Sequence, residues 1–246
     1  MRKNTITFDN GNHAVVVSAG RDADAQTILK TLDIVQPNAL MMVFGGAKGI
    51  EDSRKARLAE LFTSVVAPTA AELGALVIDG GTQSGVMAMM GEARARDGRG
   101  CQLLGIAPAG KVTYPGAPSN ANIGDGAPLE PNHSHFVLVE SDEWGGETGT
   151  MFKLARALNL AVVTMLINGG RIAGSEALHS VRHGWQVLVI DGSGRFADEV
   201  SAAVRDSRIV KSVEISEIVR SGRVALFHVD DPAEKLRNEL RRMLGG

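Results

Sequence analysis

A Rossmann-like, doubly wound α/β architecture is predicted by three features: a mainly parallel sheet with helices on both faces, preceded by a short N-terminal β-ribbon. Runs such as ALMMVF, ALVID and AVVTMLI are almost continuous in Val, Leu, Ile and Met, as strands buried on both faces are. Helical periodicity fills the intervals between them, and βαβ alternation of this kind builds parallel sheets. Paired glycines close several of the runs, where the chain must turn sharply from strand into helix.

The elements follow in order. TITFDNGNHAVVVSA reads as two antiparallel strands about Asp9-Asn10-Gly11-Asn12, because Asn-Gly accepts the positive φ angles of a tight hairpin. Periodicity then predicts a helix over 22–36, a strand over 39–44, a helix over 54–73, a strand over 75–79 and a helix over 83–96. Strands are expected over 102–108 and 136–141, a helix over 148–158, a strand over 161–167, a helix over 175–182, a strand over 186–191 and a helix over 195–204. Beyond Val204 the pattern weakens, leaving a strand over 223–229 and a charged amphipathic helix over 232–244. The chain, 1–246, is expected to be a single domain, with its core in 13–206 and a C-terminal extension in 207–246. The stretch 109–135, rich in Pro, Gly and Asn, interrupts the alternation. It leaves a strand end, and its two readings are a lid over the crevice and a plain surface excursion.

Composition narrows the function. A net charge of -2 argues against an extended nucleic-acid footprint. Aromatic content of 4%, with Tyr114 the sole tyrosine, supplies little for base stacking. The single cysteine, Cys101, permits no intrachain disulfide and enters an apolar strand, where thiols are generally inert. No leader and no apolar run near the roughly 20 residues of a bilayer span is seen, so a soluble cytoplasmic protein without membrane contact is expected.

The glycines mark a candidate site. Gly45-Gly46, Gly80-Gly81, Gly169-Gly170 and Gly192-Ser193-Gly194 each follow a predicted strand, at the edge where open α/β sheets hold ligands. Backbone there can approach a ligand closely while the next helix presents free N–H groups and the positive end of its dipole, an arrangement suited to phosphate. Thr82, Ser84 and Gly85 extend the second turn with hydroxyls that either meet an anion or cap the helix. Arg195, at a predicted helix start, adds a guanidinium for bidentate phosphate recognition, or pairs with Asp198 or Glu199 on the surface. Lys48, Lys111 and Arg171 are weaker candidates of the same kind. Neither the dinucleotide nor the P-loop glycine fingerprint occurs. In Asn132-His133-Ser134-His135 the two imidazoles point to opposite faces of an extended segment, so no metal is expected there. Their expected role is to hydrogen-bond the loop to the strand edge.

The stretches GGAK (45–48), VIDGGTQSGVMAMMGEA (77–93), LLGIAPAG (103–110), LEPNHSHFVLVES (129–141), WGGE (144–147), INGG (167–170) and DGSGRFADEV (191–200) resemble, in order, the N-terminal cytosolic region of melastatin-type TRP channels. The chain is similar to the prokaryotic branch (LSDAT) of that ligand-sensing domain, in the SLOG superfamily that also holds DprA and Lonely-Guy proteins. The resemblance implies a Rossmann-like domain that binds a nucleotide-derived ligand such as ADP-ribose or another NAD-related metabolite, with no covalently bound cofactor. It implies that Gly80, Gly81, Thr82, Ser84 and Gly85 embrace phosphate, that Arg195 contacts the ligand, and that Trp144 meets it beside Gly145 and Glu147. A second ligand arginine of the channel branch corresponds here to Met151, with Lys153 the candidate replacement.

Two functions follow as expectations. The first is a sensor that binds such a nucleotide and signals through a partner or a homo-oligomer. The second is an enzyme hydrolysing or transferring at the ribosyl or phosphate linkage, as Lonely-Guy phosphoribohydrolases do. The glutamate of the Lonely-Guy motif corresponds to Leu178, which cannot exchange protons, leaving Glu147 and Glu176 as candidate acid/base groups. As binding residues, Glu147 is a ribose hydroxyl acceptor and Glu176 a first-turn carboxylate facing its helix dipole.

Overall fold

A computed structural model describes residues 1–46, 49–97, 100–117 and 125–245. Arg2–Thr7 (β1) and His13–Ala19 (β2) form the antiparallel ribbon, and helix Ala25–Leu32 (α1) leads to strand Ala39–Gly45 (β3). Helix Asp52–Leu61 (α2) continues through a π-turn at Phe62–Val66 into Ala67–Glu72 (α3), and strand Ala75–Asp79 (β4) follows. Next come helix Gly85–Asp97 (α4), strand Gln102–Pro108 (β5), the short strands Val112–Thr113 (β6) and Ala127–Pro128 (β7), and strand His135–Val139 (β8). The second half runs Thr148–Leu158 (α5), Val162–Ile167 (β9), Arg171–Arg182 (α6), Gln186–Asp191 (β10), Arg195–Arg205 (α7), Val213–Arg220 (α8), Val224–His228 (β11) and Ala233–Leu244 (α9).

Nine of these strands form one sheet in the order β1-β2-β8-β5-β4-β3-β9-β10-β11, parallel except for the β1–β2 pair. Successive side chains point to opposite faces, so every strand of the middle feeds two cores. Leu40, Met42 and Phe44 of β3 join Ile28, Phe152, Val181, Val200 and Ile218 on one side. Met41 and Val43 join Leu58, Val65, Met90, Leu236 and Leu240 on the other. The C-terminal segment thus extends the sheet with β11 and closes the second core with α9. Helix α8, absent from the expected elements, is capped by Ser212, whose hydroxyl accepts from Ile215 N at 3.2 Å.

The topology creates one switch point. β3 and β9 are neighbours, with Gly45 opposite Ile167. From β3 the chain moves toward β4 and β5, whereas from β9 it moves the other way, toward β10 and β11. Their outgoing connections diverge and open a crevice at the carboxyl ends of the strands.

Candidate ligand-binding site

The crevice is a cavity of about 400 Å³, and segments far apart in sequence line it. Val43 to Gly46 come from the end of β3, Gly80, Thr82 and Met87 from the β4 turn, Gly170 to Ala173 and Glu176 from α6, and Trp144 and Glu147 from the approach to α5. Gly45 can carry no side chain: a Cβ there would overlap the Ile167 carbonyl oxygen, and its φ is +150°. Its absence lets β3 and β9 stay in register to the rim. Asn168 ties three turns together: its Nδ2 donates to Gly46 O (2.9 Å), its N–H to Ser193 Oγ (2.7 Å), and its carbonyl accepts from Ala197 N (2.9 Å).

Of the predicted residues, Gly45, Gly46, Gly80, Thr82, Trp144, Glu147, Gly170 and Glu176 line this cavity, as does Arg171. Gly145 lines an adjoining cavity of about 690 Å³ that shares Trp144, Arg171 and Ile172 with the first. Gly81, Ser84, Gly85, Gly169, Gly192, Ser193, Gly194 and Arg195 stand outside the cavity wall. Gly81 serves packing: with φ of +63°, a Cβ there would stand 2.6 Å from Gly105 Cα. The buried Ser193 hydroxyl is engaged with Asn168 N and Ile190 O. Arg195, itself exposed, lies against the cavity glycine Gly170, where an added Cβ would be 2.9 Å from Nη2. No hydrogen bond or ion pair joins Arg195 to Asp198 or Glu199; Asp198 instead accepts from Gly192 N at 2.8 Å. Among the cations, Lys111 pairs with Asp125, and Lys48 lies outside the described residues. Met87, Ile172 and Ala173 were not anticipated; only their places beside Gly85 and Gly170 hinted at them.

The two glutamates share the cavity. Glu147 precedes α5, and Glu176 is the sixth residue of α6; each is 6% exposed. Because α6 begins at Arg171, four residues before the expected start, Glu176 is not a first-turn carboxylate but faces inward. Burial raises the pKa of both. For Glu176 the rise is large, with the charge of Glu147 adding to burial and Thr148 opposing. Glu147 Oε2 has no hydrogen-bond partner among the described residues.

A buried charged cluster supports the β4 turn. His133 Nε2 meets Asp79 Oδ1 at 2.9 Å, and its Nδ1 meets Glu130 Oε2 at 2.8 Å. Asp79 Oδ1 also accepts from Gly81 N (2.7 Å), and Gly81 O accepts from Glu130 N (2.9 Å). The motif Asn132-His133-Ser134-His135 therefore works as a hydrogen-bonded clamp. Asn132 and His133 hold Glu130, and Ser134 donates to Leu103 O at 3.0 Å. The described stems of the 109–135 excursion reach the site as well: Trp144 Nε1 donates to Asp125 O at 3.3 Å. Residues 118–124, the middle of the proposed lid, lie outside the described residues.

A model of the family described as "SLOG in TRPM, prokaryote" matches residues 38–237. The chain belongs to this SLOG family. Its relatives include a transient receptor potential cation channel subfamily M member-like 2 of Nematostella vectensis, 31% identical over 80% of this chain. Member 2 of Mus musculus is 28% identical over 75% of this chain, and member 7 of Homo sapiens is 25% identical over 78%. The chain spans only 15%, 14% and 12% of these relatives' lengths. Among its described residues no helix is long and apolar enough to cross a membrane. Within this SLOG domain, Met151 is 1% exposed and belongs to the apolar core. Lys153, the expected replacement for the second arginine, donates to Arg21 O (3.1 Å) and does not line the cavity.

Proposed function

We propose that the switch-point cavity binds a nucleotide-derived ligand, ADP-ribose or another NAD-related metabolite, and that the protein acts as its sensor in the cytoplasm. The turns that line the cavity at Gly45-Gly46, Gly80, Thr82 and Gly170 take the phosphates, with the guanidinium groups of Arg171 and Arg195 at the rim. Trp144 supplies a flat surface for the base or ribose. The observation that carries the reading is the convergence of three glycine turns, from β3, β4 and β9, on one cavity at the sheet's switch point. Signal output through a partner or a second copy of the chain belongs to the same proposal.

Purified protein incubated with NAD, ADP-ribose, cyclic ADP-ribose and nucleoside monophosphates tests it, with melting temperature and chromatography of the ligand read together. Stabilisation with ligand unchanged is the expected result; no stabilisation by any of them would sink the reading. A second reading, ribosyl or phosphate cleavage, is favoured by two buried glutamates in one cavity, each with its pKa raised by burial. It predicts product formation that Glu147→Gln or Glu176→Gln abolishes, and it fails if both variants keep turnover.

A further inference from the structure

The two edges of the sheet are built differently. β1, at one end, presents Arg2, Lys3, Asn4 and Thr5 to solvent, the charged and polar dressing that keeps an edge strand from pairing with another chain. β11, at the other end, reads Val-Ala-Leu-Phe-His, with no lysine, arginine, acidic residue or proline in it. Nothing in its sequence blunts that edge.

The β10–β11 ladder identifies the free groups. Arg223 O accepts from Val187 N and Val229 N donates to Asp191 O, both toward β10. A residue of a parallel strand turns its N–H and C=O to one side and the next residue turns them to the other, so Val224, Leu226 and His228 face outward. None of their N–H groups has a partner among the described residues, and of their carbonyls only that of His228 accepts, from Asp231 N at 2.9 Å. Helices cover the faces of β11 but not its edge. Val224 and Leu226 join the core that holds Ile215 and Ile218 of α8, and Phe227 joins the core that holds Leu236 of α9.

Charge selects the occupant and its direction. Arg220 and Arg223 precede the strand, and Asp230 and Asp231 follow it. A second copy laid parallel would set like charge against like. Laid antiparallel, the arginine end of each strand meets the aspartate end of the other, and two-fold symmetry repeats the match at both ends. An axis at Leu226 also sets each outward-facing residue opposite another, Leu226 against its own copy and Val224 against His228. We infer that β11 pairs antiparallel with β11 of a second copy of this chain, joining the two sheets across a two-fold axis at Leu226. This gives the second copy invoked for signalling a place to dock, and it holds or fails independently of what the cavity binds.

Sedimentation equilibrium over a concentration series, with melting temperature as the check on folding, tests the inference. The unaltered protein is expected to form a dimer. Arg223→Glu and Asp230→Lys, both at exposed positions, should each weaken it by about tenfold or more, because each reversal sets like charges together at both ends of the pair. Combining the two should restore it. Leu226→Pro removes an outward N–H without touching the β10 ladder and should leave monomer; if it lowers the melting temperature, the charge exchange carries the test. Hydrogen exchange gives the direct readout, with the amides of Val224, Leu226 and His228 protected in the dimer and fast after dilution. A protein monomeric at every concentration, or a dimer that the charge reversals leave unchanged, overturns the inference. Slow exchange of those amides in the monomer, which would mean that another part of the chain covers the edge, overturns it too. A dimer with the expected properties that binds none of the nucleotides keeps the inference and overturns the sensor reading alone.

Discussion

His133 Nε2 lies 2.9 Å from Asp79 Oδ1 in a fully enclosed setting, the histidine 1% and the aspartate 1% exposed. The pair joins the end of β4 to the segment preceding β8, and through the Asp79–Gly81 hydrogen bond it fixes a turn beside the cavity. Burial, the largest effect on His133, lowers its pKa. The charge of Asp79 and the hydrogen bonds to Asp79 and Glu130 outweigh it and hold the imidazole at about 9.

Replacing His133 by alanine should therefore destabilise the fold by about 3 to 5 kcal/mol, because two buried carboxylates lose their counter-charge. The folded pKa exceeds the ordinary value of 6.5. Stability supplied by this group is thus complete below about pH 6.5 and lost as pH rises through about 9. Denaturant titrations across that window should show a decline that His133→Ala lacks.

Glu176 has the same sign for a different reason. Burial and the neighbouring Glu147 raise its pKa well above the usual 4.5, so folding favours its protonated form and stability falls as pH rises from that value through the folded one. Glu176→Gln should raise the melting temperature at neutral pH by a few degrees, roughly 2 to 4 °C for each kcal/mol recovered, and leave it nearly unchanged at pH ~4. A lower melting temperature at neutral pH would show that the hydrogen bond from Thr148 outweighs the cost of burial.

Gly45 and Gly46 are adjacent but should respond differently. Gly45→Ala forces a methyl group into the Ile167 carbonyl and should cost about 2 kcal/mol or more of stability. A Cβ on Gly46 meets nothing within 4 Å and projects from a cavity-lining residue. Gly46→Val should therefore leave unliganded stability within about 1 kcal/mol and remove ligand-induced stabilisation, as thermal shift would record.

Arg195 starts α7 at a φ of +44°, in the left-handed region. Alanine shares that strain, so Arg195→Ala should change unliganded stability by less than about 0.5 kcal/mol. Stabilisation by ADP-ribose should fall by about 1 to 3 kcal/mol through loss of a charge-assisted contact.

Much of this arrangement was legible in the residues. The buried strand runs and their glycine ends located the sheet's carboxyl edge, and β4, β5, α5 and β10 match their expected bounds. The helix expected over 175–182 begins at Arg171 and so includes Gly174, a poor helix former. In the fold its bare Cα makes room for Phe196, whose ring would stand 2.8 Å from an added Cβ, so packing overrides propensity. That shift moved Glu176 from the helix tip to the cavity wall. The Asp79–His133–Glu130 cluster joins residues 54 positions apart, a pairing that local spacing cannot express. Helix α8 had local signals, Ser212 followed by Glu214 and then Ile215, Ile218 and Val219 at helical spacing, but it is only eight residues long.

The crossing of the chain at the β3–β9 boundary makes the protein divisible in an informative way. One half of the rim is encoded before residue 114 and the other after residue 126, and the parallel pairing of Val112 with Ala127 holds the two stems together at that junction. Fragments severed between those stems would each inherit an incomplete rim. Ligand capture should thus return only on their reassociation, which suits the domain to serve as a complementation reporter whose two pieces are silent apart.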